Sequence, residues 1–199
     1  MDCNKEEPPR VIVLAGPNGA GKTSSSRTLL AETLGVMAFV NADVIAQGLS
    51  GFAPESVAWE ASRIMLERLH ALAERREDFA LETTLAARTY SSWLAELRSS
   101  GYHVCLYYFW LDSPDLAVAR VAERVRGGGH SIPEATIRSR YRRSLVNLFD
   151  LYLPLADTWS VYNNSELACP RRIAQSQQHS LDVICPEEWT RMQHEAQHG

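Results

Sequence analysis

Short apolar runs alternate with longer segments whose apolar positions recur every three or four residues, and the alternation holds over the first 163 residues. Runs of four to eight apolar residues bounded by turn formers predict buried strands, and the three-to-four spacing predicts helices that cover them. Strands are predicted at residues 11–15, 37–41, 79–82, 103–111 and 159–162. The segment after Asn41, rich in Gly and Ser, reads as a loop. A long helix is predicted from about 54 to 76, with Ala58, Ala61, Met65, Leu69 and Leu72 forming its apolar stripe. Shorter helices follow at about 90–98, from Pro114 to the triple glycine 127–129, and from the capping box Ser131-Ile132-Pro133-Glu134 to about 152. Strand alternating with helix predicts an α/β fold in three layers, a mostly parallel five-stranded sheet flanked by helices. Beyond residue 165 the pattern changes: Ile173 and residues 181–184 predict two short strands, and residues 187–197 a final helix. The division expected is an extended or disordered arm over 1–10, one domain over 11–165, and a C-terminal extension over 166–199 packed on it.

Chemistry enters where the first strand ends. Residues 11–23 read Val-Ile-Val-Leu-Ala-Gly-Pro-Asn-Gly-Ala-Gly-Lys-Thr, a strand followed at once by the G-x-x-x-x-G-K-T phosphate-binding loop. Its glycines let backbone N–H groups close on phosphate oxygens, and the helix behind adds its positive end. The candidate nucleotide-binding residues are Gly16, Pro17, Asn18, Gly19, Ala20, Gly21, Lys22, Thr23 and Ser24. Lys22 is placed to reach the outer phosphates and Thr23 to hold Mg²⁺.

Ligands of open α/β sheets sit beyond the carboxyl ends of the strands, so acidic residues there are candidates for the rest of the site. Asp43 follows the second strand and is the candidate general base for an acceptor hydroxyl, although Asn-Ala-Asp is also good turn or cap chemistry. Glu82 closes the third strand in Leu-Glu-Thr-Thr, where it would fix substrate hydroxyls, hold Mg²⁺ through water, or tie a neighbouring loop. Arg120, Arg124, Arg126, Arg138, Arg140, Arg142 and Arg143 crowd the helices on either side of the triple glycine. Two or three of them would act as a lid over the transferred phosphoryl group, and the others as a solvated face.

Bulk properties narrow the class. The chain has 199 residues, 45% hydrophobic and 22% charged, which is ordinary globular composition. A net charge of −4 favours neither nucleic acid nor an anionic membrane as partner. The polar start has neither signal-peptide nor anchor character, no apolar run reaches membrane-spanning length, and the expected location is the cytoplasm. Of four cysteines none forms a C-x-x-C pair; Cys105 reads as a core residue, and a Cys169–Cys185 disulfide is disfavoured in a cytosolic enzyme. His194 and His198 read as solvated tail.

Taken together, G-P-N-G-A-G-K-T, F-V-N-A-D, L-E-T-T, F-W-L-D-S-P, R-V-R-G-G-G-H-S-I-P and R-S-R-Y-R-R-S-L-V-N-L resemble the zeta toxin family of P-loop kinases over about residues 11–165. The chain departs from the family pattern at Thr83, where a glycine is expected. The resemblance implies an ATP- and Mg²⁺-dependent transfer of phosphate to the aminosugar 3′-hydroxyl of UDP-N-acetylglucosamine, and a separately encoded antitoxin as partner. It implies Lys22 on the phosphates, Thr23 on the metal, Asp43 as catalytic aspartate and Glu82 with Thr84 on the substrate. Arg124 and Arg140 match the lid arginines, with Arg126 and Arg138 as competitors and Arg126 placed on the nucleotide. Other expectations are a kinase acting on a nucleoside, sugar, antibiotic or nucleic-acid end, and a nucleotide-binding regulatory module without transfer activity, which would not need Asp43.

Overall fold

Residues 11–15 have no exposed side, each being at most 1% accessible, as befits a strand covered on both faces. This strand, β1 (Arg10–Ala15), lies between β3 (Phe79–Thr83) and β4 (His103–Trp110), both parallel to it. Outside these lie β2 (Phe39–Val40) on one side and β5 (Thr158–Asn163) on the other, also parallel. Two further strands, β6 (Arg171–Gln177) and β7 (Ser180–Val183), extend the sheet antiparallel beyond β5. The order is β2-β3-β1-β4-β5-β6-β7, seen in a computed structural model that describes residues 7–166, 169–177 and 180–198. Most of the expected N-terminal arm, with Cys3, lies outside those residues. Arg10 already belongs to β1, and its guanidinium and backbone N–H hold Asp78 at 2.6–2.8 Å.

The helices follow the apolar spacing with some corrections. Helix α1 (Lys22–Ser26) continues as a wider, π-type turn over Arg27–Leu34 and stops at Gly35, where φ is 69°. The segment expected to be a loop after Asn41 is helix α2 (Ala42–Leu49), because the Asn41 side chain caps its first turn. In α3 (Ala58–Glu74), Ala61, Met65, Leu69 and Leu72 are buried as spaced, while Ala58 is exposed. Helices α4 (Thr89–Ser99) and α5 (Pro114–Arg126) follow, the latter capped by Ser113, whose hydroxyl accepts from Leu116 N–H. The Ser131–Glu134 capping box does not form. Helix α6 (Glu134–Asn147) has Pro133 at its cap position, and Glu134 instead accepts from Arg138 at 2.8 Å. A π-type turn over Leu148–Tyr152 and the short α7 (Leu153–Leu155) lead into β5. The second strand is shorter than expected, since only Phe39 and Val40 pair with β3.

The tail is held on by aromatic packing. In α8 (Pro186–His198), Trp189 stacks on Trp159 of β5 at 5.6 Å between ring centroids, and the Arg191 guanidinium sits 4.6 Å above the Trp110 ring. Beneath it Tyr141 of α6 forms a polar hub. Its hydroxyl accepts from Trp110 Nε1 at 3.1 Å, donates to the Leu111 carbonyl at 2.7 Å, and lies 3.2 Å from Glu195 Oε2. Burial raises the Glu195 carboxyl above its usual pKa, with the Tyr141 hydroxyl opposing. Cys105, Cys169 and Cys185 are free thiols. Among the described residues no helix is long and apolar enough to cross a membrane, and no three His, Cys, Asp or Glu residues gather as a metal cluster.

Replacing Tyr141 by Phe leaves the buried Trp110 N–H and Leu111 carbonyl unpaired. Urea denaturation is expected to show a loss of about 1–3 kcal/mol. A change within about 0.5 kcal/mol would mean that the hub contributes no more than an ordinary surface contact.

Candidate active site

The loop between β1 and α1 is shaped by close approaches. Gly16 has φ of 140°, and a Cβ there would stand 2.2 Å from the Phe109 carbonyl oxygen of β4. Gly21 has φ of 80°, and a Cβ there would meet the Asn164 side-chain amide at 2.6 Å. That amide donates to the Ala20 carbonyl at 2.7 Å, so the residue after β5 anchors the loop from the far side. Only glycine fits both positions.

Lys22 opens α1 and is buried, 6% accessible. Its ammonium donates to the Gly16 and Pro17 carbonyls at 2.9 and 3.0 Å, and it stands 3.8 Å from Glu82 Oε1. Burial lowers its pKa below the usual lysine value; Glu82 and Asp43 oppose that shift, and Arg124 and Arg140 add to it. Parallel pairing places Glu82 of β3 beside Leu14 of β1, at the mouth of the loop. Glu82 Oε2 accepts from the Thr23 hydroxyl at 2.8 Å and from Asn41 Nδ2 at 2.7 Å. Glu82 thus faces the phosphate loop and joins three elements, β3, α1 and the start of α2.

A cavity of about 790 Å³ opens over this network. Asn18, Gly19, Gly21, Lys22, Thr23 and Ser24 line one wall, and Asp43, Glu82 and Thr84 line it beside them. Gly16, Pro17 and Ala20 act through their carbonyls, which accept from Lys22 and Asn164. Asp43 lies exposed in the first turn of α2, where its carboxylate also meets the positive helix end. Thr84 is fixed by a turn, its hydroxyl accepting from the Ala86 N–H at 3.4 Å. The next residue, Leu85, is fully buried at φ of 56°, a strained conformation held by Asn147 Nδ2 donating to its carbonyl at 2.6 Å.

Helical spacing sorts the arginines. Arg120 and Arg124 of α5 are four residues apart, share a face and line the cavity. Arg140 and Arg143 of α6 are three apart and do the same. Arg126, expected on the nucleotide, is the last residue of α5, two beyond Arg124 and so on another side; it does not line the cavity. Arg138 is tied to Asp115 and Glu134 at 2.6 and 2.8 Å and also lies outside it. Arg124 Nη2 donates to the His130 carbonyl at 3.2 Å and so rests against the glycine turn.

Sequence reasoning leaves Arg120 among the seven clustered arginines without singling it out. Its guanidinium donates to the Asn164 and Ser165 carbonyls, both at 2.7 Å, and fixes the exit of β5 beside the loop. Sequence reasoning misses Asn41. The i,i+4 relation to Arg124 and the cap-forming Asn before Asp43 were the available signals. For Mg²⁺ the donors present fit: the Thr23 hydroxyl and Glu82 carboxylate are hard oxygen ligands, and an ion held by so few protein groups takes the rest of its shell from water and phosphate.

Comparison with known proteins identifies the family and the fold. The family model for zeta toxin matches residues 1–169. An uncharacterized protein of Haemophilus influenzae is 26% identical over 132 residues, covering 66% of this chain and 92% of that protein. Among solved structures, a chain of the AvrRxo1-ORF1:AvrRxo1-ORF2 complex with sulphate ions superposes with a TM-score of 0.77 at 16% identity, over 92% of this chain and 63% of that one. The present chain therefore spans under two thirds of that protein's length. A chain of the PezAT toxin-antitoxin system of Streptococcus pneumoniae gives 0.64 at 16% identity, over 96% of this chain and 87% of that one. At such identities the structural likeness establishes the fold.

The β5 corner is directly testable. Arg120→Ala removes two charge-assisted bonds to backbone carbonyls and is expected to cost about 1.5–3 kcal/mol in chemical denaturation. Arg120→Lys should not recover it, since one ammonium replaces a two-pronged fork. Full recovery by lysine would show that charge alone matters there.

Proposed function

Since the chain belongs to the zeta toxin family of P-loop kinases, we propose that it transfers the γ-phosphate of ATP to a hydroxyl of a nucleotide sugar such as UDP-N-acetylglucosamine. The observation that carries the reading is the convergence of Lys22, Thr23, Glu82, Asp43, Arg124 and Arg140 on one cavity. The loop amides and Lys22 bind the triphosphate, for which Lys22 must leave the Gly16 and Pro17 carbonyls. Asp43 accepts the proton of the acceptor hydroxyl while that oxygen bonds to the γ-phosphorus and the bond to the β-phosphate oxygen breaks, leaving ADP. Arg124 and Arg140, carried on α5 and α6 around the triple glycine, close over the phosphates and exclude water. Thr23 and Glu82 would hold Mg²⁺, which would supply neutralisation of charge on the phosphates.

Thr84 borders the acceptor side, with Ala46, Ala58, Met65 and Tyr90 as a mainly apolar wall suited to a ring-bearing acceptor. The Tyr90 hydroxyl has a sulfur partner, Met65 Sδ at 3.7 Å, and burial raises its pKa. It therefore stays protonated, available to donate to an acceptor. The site fits a cytoplasmic enzyme, where ATP and nucleotide sugars occur together. PezAT is a toxin-antitoxin system and AvrRxo1-ORF1:-ORF2 a complex, which supports a separately encoded antitoxin as partner here. A second reading keeps the chemistry and changes the acceptor to a nucleoside, sugar, antibiotic or nucleic-acid end.

Incubation with labelled ATP and a panel of these acceptors is expected to label UDP-N-acetylglucosamine; label on another member moves the acceptor and keeps the kinase. Asp43→Asn should lower transfer by about 10²–10⁴-fold while ATP affinity changes less than about threefold. Lys22→Ala should lose both. Unchanged turnover in Asp43→Asn would remove it as the base.

A further inference from the structure

Strand β2 pairs with β3 through only two residues, Phe39 opposite Ala80 and Val40 opposite Leu81. One step further along, the register sets Asn41 beside Glu82, and there a side-chain bond takes over from the backbone ladder. Asn41 is 6% accessible and uses both ends of its amide. Oδ1 accepts from the Asp43 and Val44 N–H groups at 2.7 and 3.3 Å, and Nδ2 donates to Glu82 Oε2 at 2.7 Å. Only this orientation satisfies both sides, because a backbone N–H cannot accept and an ionised carboxylate cannot donate.

We propose that Asn41 is a positioning residue for phosphoryl transfer: it fixes the first turn of α2, and with it Asp43, against the Glu82–Thr23–Lys22 network of the phosphate loop. The proposal rests on Asp43 being the base. The bond path runs from the loop to the base through named contacts: Thr23 hydroxyl to Glu82, Glu82 to the Asn41 amide, Asn41 to the Asp43 N–H. An ordinary cap needs only the oxygen end, and Ser or Asp would serve it equally. The amide is required because the same side chain must also donate to a carboxylate. The acidic, basic and histidine side chains on the shared cavity are Glu82, Asp43, Lys22 and Glu55, with Arg120, Arg124, His130, Arg140 and Arg143 on the side of α5 and α6.

Two variants separate positioning from capping. Asn41→Ser keeps a cap oxygen but loses the donor to Glu82. Asn41→Asp keeps the cap but loses the donor and sets a second carboxylate against Glu82. With ATP and UDP-N-acetylglucosamine, Asn41→Ser is expected to lose about ten- to a hundredfold in kcat, with KM for ATP within about threefold of wild type. For Asn41→Asp, at the same pH, kcat is expected to fall at least as far as for Asn41→Ser, since the cap survives while the donor to Glu82 is replaced by a like charge. Wild-type kcat in either Asn41→Ser or Asn41→Asp would overturn the proposal.

If wild-type protein leaves the sugar nucleotide untouched, the acceptor assignment fails on its own. The same kcat ratios are then read from ATP hydrolysis, with the same outcomes deciding. Melting curves of Asn41→Asp need no turnover at all. Melting below that of Asn41→Ser, which keeps a cap oxygen without adding a charge beside Glu82, supports the tie. Melting that coincides with wild type contradicts it, even if the kinase reading stands.

Discussion

A lysine ammonium held below the surface must be surrounded by oxygen atoms or give up its proton. Lys22 is in that position, and the rim of the sheet is built around meeting the demand. The Gly16 and Pro17 carbonyls turn inward to receive it, and Glu82 supplies the countercharge. A carboxylate in such a place needs partners in turn, and Thr23 and Asn41 provide them. Removing one member leaves a buried charge or donor unpaired, so the group holds together as a unit. The parallel register of β1 and β3 makes it possible by setting Glu82 next to the end of β1.

The resulting site is assembled with its ligand-binding groups turned onto the protein itself. Lys22 rests on loop carbonyls, and Arg124 rests on the His130 carbonyl of the glycine turn. A triphosphate offers both cations stronger partners than neutral carbonyls do. Ligand binding would thus redirect existing charges, and the arginines sharing the cavity-facing sides of α5 and α6 are the ones available for it. Behind Arg140 in α6, the Tyr141 hub and the Trp159–Trp189 stack hold α6 and α8 to the core. They fix the base from which Arg140 projects.

The parallel frame was legible because its signals are local and strong: apolar runs for central strands, helical spacing for α3, and a glycine-rich loop between strand and helix. The candidate site was legible as far as strand ends reveal it, which brought Asp43, Glu82 and Thr84 onto one cavity with Lys22. What sequence missed depends on side-chain bonds that span the fold. The segment of helix α2 reads as a loop in sequence because Asn, Gly and Ser favour turns locally. Its start is secured by Asn41, held in turn by Glu82, 41 positions away. The Ser131 capping box had the right spelling, yet Glu134 is engaged by Arg138 instead. Arg126 and Arg120 were indistinguishable by composition, and only the turn of α5 toward the cavity separates them.

The central claim is that the Lys22–Thr23–Glu82 network grips a triphosphate with Asp43 facing its terminal group. A crystal structure with Mg²⁺ and a non-hydrolysable ATP analogue tests it most directly. Lys22 Nζ is expected to have moved from the Gly16 and Pro17 carbonyls to β- and γ-phosphate oxygens, with Thr23 and Glu82 on the metal side and Asp43 across from the γ-phosphate. A triphosphate bound elsewhere, or Lys22 still on both carbonyls with the analogue in place, would contradict the account.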